Sequence, residues 1–300
     1  MPEPLAIHQA AEGVWWSMPD SSTDRPMLGA VAGAEATLWV DAGASPAHAS
    51  AFLQALSAHG LPPVRYVVYT HWHWDHVWGG SELKARYQPT FIAHELTRDK
   101  IRAQARLRWD DASLDERVRQ GDESAASFEH MKAELPSRAD LILVPPTVSF
   151  RQQLEIDLGG VTCSIEHVGG DHSADSALVH VRERKVLFTG DALYTSFYAI
   201  GKHYTRQTIF PLLERVLSFE AETFFLGHTP FPLTREHTRA LQEVLHCVAT
   251  YTLDERLPTD EVIDRLLRAE LRFPLSPEFV SELVDAFQEG AKLSLCRSAS

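Results

Sequence analysis

The sequence predicts an α/β protein with two β-rich halves, each followed by helices. Three observations predict it. Short β-branched and aromatic runs, punctuated by Gly and Pro, flank a charged, helix-favouring stretch at 95–140. Polar residues able to bind metal stand where the predicted strands end. And 300 residues with 44% hydrophobic content are enough for one large domain or two smaller ones.

Val14–Ser17, Met27–Val31 and Ala36–Val40 read as three short strands of a meander, the last ending in Asp41-Ala42-Gly43. Ser45-Pro46 then reads as an N-cap with Pro at the first helical position, with Phe52, Leu53 and Leu56 as the apolar face and Gly60 as the C-cap. Val64–Tyr69 is a strand, Ser81–Tyr87 a short helix and Thr90–Ala93 a further strand. From Glu95 to Asp140 we read a helical insertion broken at Gly121-Asp122: either a solvated pair of helices, or a lid or dimerisation arm beside the site. Leu141–Val144 opens the second β-rich half. Val148–Phe150, Leu154–Leu158 and Val161–Glu166 follow as strands, the last two joined at Gly159-Gly160. Ala177–Val181, Lys185–Thr189 and Phe224–Leu226 complete the strands. Phe210–Phe219 is an amphipathic helix that Pro211 makes start late; Thr234–Val248, Thr259–Leu271 and Ser276–Gln288 are the closing helices. These last form a C-terminal helical extension at about 234–300, so the chain reads as one domain over 1–300 with an insertion at about 95–140.

Net charge of −13 and a pI of about 5.6 speak against a nucleic-acid partner. The opening residues lack a basic n-region and an apolar h-region, and no run approaches about eighteen apolar residues. No membrane partner is expected, and the reading is a cytoplasmic protein. Cys163, Cys247 and Cys296 are odd in number and read as reduced thiols.

The chain is organised around Thr70-His71-Trp72-His73-Trp74-Asp75-His76, at the carboxyl end of the Val64–Tyr69 strand. His71 and His73, two apart on extended backbone, point the same way, and Asp75 and His76 follow on the turn. The second half again puts polar residues at strand ends: His172 after Gly169-Gly170-Asp171, Asp191 after Gly190, and His228 after Gly227.

Taken in order, His71-x-His73-x-Asp75-His76, His172, Asp191 and His228 resemble the metallo-β-lactamase-fold superfamily over roughly residues 12–232. The resemblance implies an αββα four-layer sandwich of two mixed β-sheets flanked by helices. By position, it implies that His71, His73 and His172 hold one metal, that Asp75, His76 and His228 hold a second, and that Asp191 bridges the two. Two divalent ions are implied, most readily Zn²⁺, with iron or manganese compatible with the same donors. About 4 Å apart, such ions share a water, lower its pKa toward about 7 and polarise a substrate oxygen.

The implied activity is a metal-dependent hydrolase of a small-molecule ester, lactone or thioester. The alternatives are an iron-dependent redox enzyme of the same fold and a small-molecule phosphodiesterase. Asp191 stands where the main zinc β-lactamases have Cys, which disfavours antibiotic hydrolysis. Tyr194, three residues on, resembles the acyl-homoserine lactonases, whose matching Tyr contacts the substrate carbonyl; otherwise it is a core aromatic. Asp75, Asp191 and Tyr194 are thus the candidate catalytic residues, with Tyr194 and His203 as pocket candidates. The loop Gly170-Asp171-His172-Ser173-Ala174-Asp175-Ser176 departs from the Gly-His-Thr-Pro-Gly common in lactonases and glyoxalases. Its Asp171 and Asp175 either add negative charge near the metals or form turns and caps. Trp72, Trp74 and Trp78 are pocket walls or core, and His167 is a candidate donor behind the ligands. His94 and His130 read as surface or capping residues of the insertion; His8, His48, His59, His180, His237 and His246 read as surface or packing. A homodimer is compatible with the insertion.

Overall fold

The computed structural model describes residues 5–121, 123–196, 201–269 and 271–298. Asp122 of the expected break lies outside them, and so does the side chain of Cys296.

Two mixed sheets face each other. The first has seven strands in sequential order: β1 (Ile7–Ala11), β2 (Val14–Ser17), β3 (Gly29–Ala32), β4 (Thr37–Val40), β5 (Val64–Val68), β6 (Thr90–His94) and β7 (Val148–Phe150). Pairing is antiparallel through β4 and parallel from β4 to β7. The second has six, in the order β13 (Leu233–Thr234), β12 (Thr223–Leu226), β11 (Val186–Gly190), β10 (Ala177–Val181), β9 (Thr162–His167) and β8 (Gln153–Asp157). Its one parallel pair is β11 with β12.

The period-2 alternation of the strands decides what each face covers. Leu38, Val40, Val68, Val179, Phe188 and Phe225 point between the sheets into one buried cluster. Their neighbours Trp39, Val67 and Tyr69 pack outward under α1 (Pro46–Leu56) and α3 (Gly80–Tyr87). Leu178, Leu187, Phe224 and Leu226 pack outward under α7 (Arg206–Ser218), α8 (Arg235–Ala249), α9 (Thr259–Arg268) and α10 (Pro277–Ser298). The result is the four-layer αββα sandwich. Each fully buried large apolar side chain contributes roughly 1.5–3 kcal/mol against exposure. Among the described residues, no helix is long and apolar enough to cross a membrane.

The structure departs from the sequence expectations in five places. β1 was not foreseen: Ile-His-Gln-Ala-Ala lacks a β-branched run, and it forms by pairing with β2. Residues 141–144 are not a strand; they run as irregular chain, with the Tyr69 hydroxyl donating to the Val144 carbonyl at 3.1 Å. α7 begins at Arg206, ahead of Pro211, which sits inside the helix. α10 runs to Ser298, well past the expected end at Gln288. Its Gly290 is no stop: a Cβ there would lie 1.9 Å from the Tyr204 carbonyl oxygen, so glycine permits close packing.

The fifth concerns the insertion. It contains three helices, α4 (Glu95–Gln104), α5 (Asp111–Gln120) and α6 (Ala125–Glu134), and it is not a solvated pair. His94, Asp110 and Ser124 cap them, each side chain accepting a backbone N–H of the first turn. Trp109, Leu114, Phe128 and Met131 bury into the cluster around Trp78. Glu134 of α6 pairs with Arg25 at 2.7 Å and accepts from the Ser45 hydroxyl.

Candidate metal centre

The strand ends at one edge of the sandwich supply every residue of the motif. β5 ends at Val68, and Thr70 to His73 follow on its extension. Asp75 and His76 lie in α2 (Trp74–Val77), a single helical turn with His73 at its N-cap. Parallel pairing of β11 and β12 sets Asp191 beside His228, with Gly190 opposite Leu226. Gly227 is required there, because a Cβ would stand 2.1 Å from Asp191 Oδ1. Ala177 N–H donates to the Thr70 carbonyl at 2.9 Å, which ties the His172 loop to the first motif.

The seven residues come together as two groups: His71, His73 and His172, and Asp75, His76, Asp191 and His228. Within each group the possible donor atoms lie within 4.8 Å of one another. Neighbours fix which ring nitrogen turns inward. The Thr70 hydroxyl lies 3.1 Å from His71 Nδ1, Asp41 Oδ2 lies 2.8 Å from His76 Nδ1, and His172 Nδ1 donates to the Thr195 carbonyl at 2.9 Å. Each contact leaves Nε2 for the centre, the arrangement by which outer partners orient metal-binding imidazoles. Asp41 also accepts the Thr70 backbone N–H at 2.7 Å, so one carboxylate braces both groups.

Asp191 Oδ2 joins them. It lies 3.3 Å from His228 Nε2, 3.4 Å from His76 Nε2, 3.4 Å from His172 Nε2 and 3.9 Å from His71 Nε2. His71 Nε2, His76 Nε2 and Asp191 Oδ1 are buried without a hydrogen-bond partner. Buried polar atoms are rarely left so. Convergent imidazole nitrogens and carboxylate oxygens, some orphaned and all turned inward, fit a pair of divalent cations.

The electrostatics agree. Burial, with the neighbouring imidazoles, holds His71 and His73 well below the usual histidine range; burial lowers His172 too. All three are therefore neutral, the form that ligates metal. In the other group burial opposes charge, but the carboxylates Asp75, Asp191 and Asp41 outweigh it at His76 and raise it well above the usual range. His228 is raised to about 10, against burial, by Asp191 and Asp75. Burial likewise opposes ionisation of Asp75 and Asp191, yet His76 and His228 hold both below the usual carboxylate range. This cluster of carboxylates calls for positive charge.

The other expected residues fall in different places. Tyr194 lines a cavity of about 410 Å³ beside Asp75, Asp191 and His228. Its hydroxyl accepts the His228 backbone N–H at 3.2 Å and lies 2.9 Å from the Thr229 hydroxyl. Burial raises its pKa, so the phenol is neutral. His203 lines a wider cavity of about 760 Å³ that, among the described residues, shares His73 and His172 with the first. Asp171 and Asp175 tie the loop to neighbouring elements: Asp171 accepts the Thr205 N–H and hydroxyl, and Asp175 accepts the Thr97 and Ser173 hydroxyls. His167 contacts no candidate ligand in the described hydrogen bonds; its Nε2 donates to the Ala174 carbonyl, and its ring stacks on His94 at 3.7 Å. Trp74 lines the smaller cavity, Trp72 the wider one, and Trp78 is core.

Sequence reasoning missed Asp41 and Asp24. Asp41 ends a predicted strand, the same signal that located the other residues. Asp24 sits in the β2–β3 connection at φ +55, with Oδ1 3.5 Å from His228 Nδ1 and Oδ2 3.6 Å from His130 Nδ1. Nothing local in the sequence marks it.

Comparison with known proteins places this geometry. Among curated proteins, the chain is similar to the 2,4-dinitroanisole O-demethylase subunit alpha of Nocardioides sp. (strain JS1661), 23% identical over 255 residues. That match covers 84% of this chain and 66% of the relative, so the chain spans about two thirds of the relative's length. Among solved structures, a beta-lactamase domain protein from Burkholderia ambifaria superposes with a TM-score of 0.60 at 19% identity, covering 100% of this chain and 90% of that one. The stereoselective inverting sec-alkylsulfatase Pisa1 from Pseudomonas sp. gives 0.61 at 13% identity, covering 97% of this chain and 52% of that one. These structural likenesses speak to the fold. The sequence model of the metallo-beta-lactamase superfamily matches residues 29–228, and with the two mixed sheets and the intact motif, the chain belongs to that superfamily.

Proposed function

We propose that the protein is a dinuclear metal-dependent hydrolase of a small-molecule ester, lactone or thioester. The observation that carries this reading is the single oxygen, Asp191 Oδ2, lying 3.3 to 3.9 Å from imidazole nitrogens of both ligand groups. A pair of bound divalent cations supplies a water of lowered pKa and polarisation of a substrate oxygen. His71, His73 and His172 would hold one cation; Asp75, His76 and His228 the other; Asp191 would touch both. Asp75 and Asp191 carry the negative charge that balances the cations. Tyr194 holds the His228 backbone through its hydroxyl and walls the cavity on the substrate side.

A second reading comes from the curated relative, named for removing a methyl group from 2,4-dinitroanisole. An activated aryl ether would meet aromatic side chains in the same cavity: Trp74, Tyr194, Tyr204 and Phe279. The test is metal analysis of the reconstituted protein combined with a panel of chromogenic esters, lactones, thioesters, phosphodiesters and nitroaryl methyl ethers. The proposal expects two cations per chain and turnover on the first three classes. Turnover confined to ethers selects the second reading. Activity that requires iron and consumes dioxygen contradicts both.

A further inference from the structure

The cavity beside the metal centre is lined by candidate ligands, among them Asp75, Asp191 and His228. Its lining also includes the charged Lys202 and Glu282 and five large apolar side chains: Trp74, Tyr194, Tyr204, Phe279 and Leu283. Of these five, all but Leu283 are aromatic. Phe279 and Leu283 lie four apart on α10 and so share one helix face, and that face is turned to the centre. The wall is preformed. Trp74 packs on Trp78 with ring centroids 5.0 Å apart, and the Tyr204 hydroxyl donates to the Leu193 carbonyl at 2.7 Å. Leu283 is buried, but Phe279 is only partly covered, which leaves ring surface for a ligand. The wider cavity offers no such cluster: Trp72 is its one non-histidine aromatic among the described residues.

We infer that the smaller chamber is the compartment for an aryl group of the substrate, and that Phe279, from the C-terminal helix, sets the preference. A volume of about 410 Å³ is ample for a substituted ring. Aromatic walls favour aromatic guests beyond the area they cover, through edge and offset contacts. The inference rests on the reading that substrate reacts at the metal centre, but its test reads binding alone.

The full-length, zinc-reconstituted protein is titrated with three neutral amides, acetamide, cyclohexanecarboxamide and benzamide, by ligand-detected NMR. Benzamide is expected to bind at least about tenfold more tightly than acetamide, from the apolar area buried. It is expected to exceed cyclohexanecarboxamide by about threefold, from the aromatic contacts. Phe279→Ala should bring benzamide to within about threefold of acetamide and leave acetamide as it was. Equal binding of benzamide and acetamide by the wild type overturns the inference, with no variant needed. So does an undiminished preference in a folded Phe279→Ala protein. If the benzamide preference holds while every ester, lactone and thioester is refused, the compartment stands and the hydrolase reading falls.

Discussion

At the scale of single residues, the site depends on groups that never touch a substrate. Asp41 is the clearest case. Its carboxylate lies 2.8 Å from His76 Nδ1 and accepts both the N–H and the hydroxyl of Thr70, whose hydroxyl in turn reaches His71. Asp41→Asn keeps the shape but loses the charge and leaves the His76 tautomer unfixed. Metal affinity should fall about ten- to a hundredfold, read by chelator competition; unchanged affinity would make Asp41 a fold residue only. Tyr194 is the second case. The sequence suggested a phenol free to meet a substrate oxygen, but the hydroxyl is already engaged by His228 N–H and Thr229. Tyr194→Phe should therefore weaken the cation held by His228, and turnover should fall in step with the loss of that cation. Slower turnover with both cations held as tightly as in the wild type would restore the substrate-facing role. The motif residues were legible because metal chemistry needs particular side chains at strand ends. Asp24 was not legible, since its approach to His228 and His130 is made by folding and not by spacing.

At the scale of elements, the helices that flank the sandwich also build the chamber. α6 brings Ser127 and His130 to it, and α10 brings Phe279 and Leu283. α6 is locked by Phe128 and Met131 in the Trp78 cluster and by Glu134 on Arg25. Phe128→Ala should cost about 3 kcal/mol or more in chemical denaturation, from lost burial and the cavity left behind, and should raise KM more than it lowers kcat. A cost near zero would mean that α6 is held only by its polar contacts. The strands were readable because alternation along Leu38-Trp39-Val40 or Leu187-Phe188 is local. The misreadings arose where tertiary contact overrode local rules. β1 is strand because β2 pairs with it, Pro211 is accommodated within α7, and Gly290 is needed inside α10 where it meets Tyr204. The insertion reads as charged and solvated because its apolar residues are sparse, yet those few are the ones that pack.

At the scale of the whole molecule, two stacked sheets carry loops at one edge, and every candidate ligand lies there. The resemblance supplied this architecture; alternation alone does not say which sheet faces which. Global stability carries a pH signature from a group outside the ligand set. His48 is fully buried and its Nδ1 accepts the Ala44 N–H at 3.3 Å. Burial, with Arg25 adding to it, lowers its pKa to about 3. The unfolded chain binds this proton below about 6.5 and the folded chain does not, so stability is lost as pH falls from about 6.5 toward 3. The contribution is of the order of 5 kcal/mol. His48→Asn, which keeps an acceptor for Ala44, should flatten this acid limb in thermal unfolding followed against pH; parallel losses in both proteins would assign the limb to other groups. In the proposed centre the two ligand groups share Asp191, and elemental analysis after metal reconstitution, wild type beside Asp191→Ala, tests that sharing. Two cations per chain in the wild type, and loss of the second in the variant with turnover down at least about a hundredfold, is the expected result. One cation at saturating metal in the wild type, or near-normal turnover in Asp191→Ala, would contradict it.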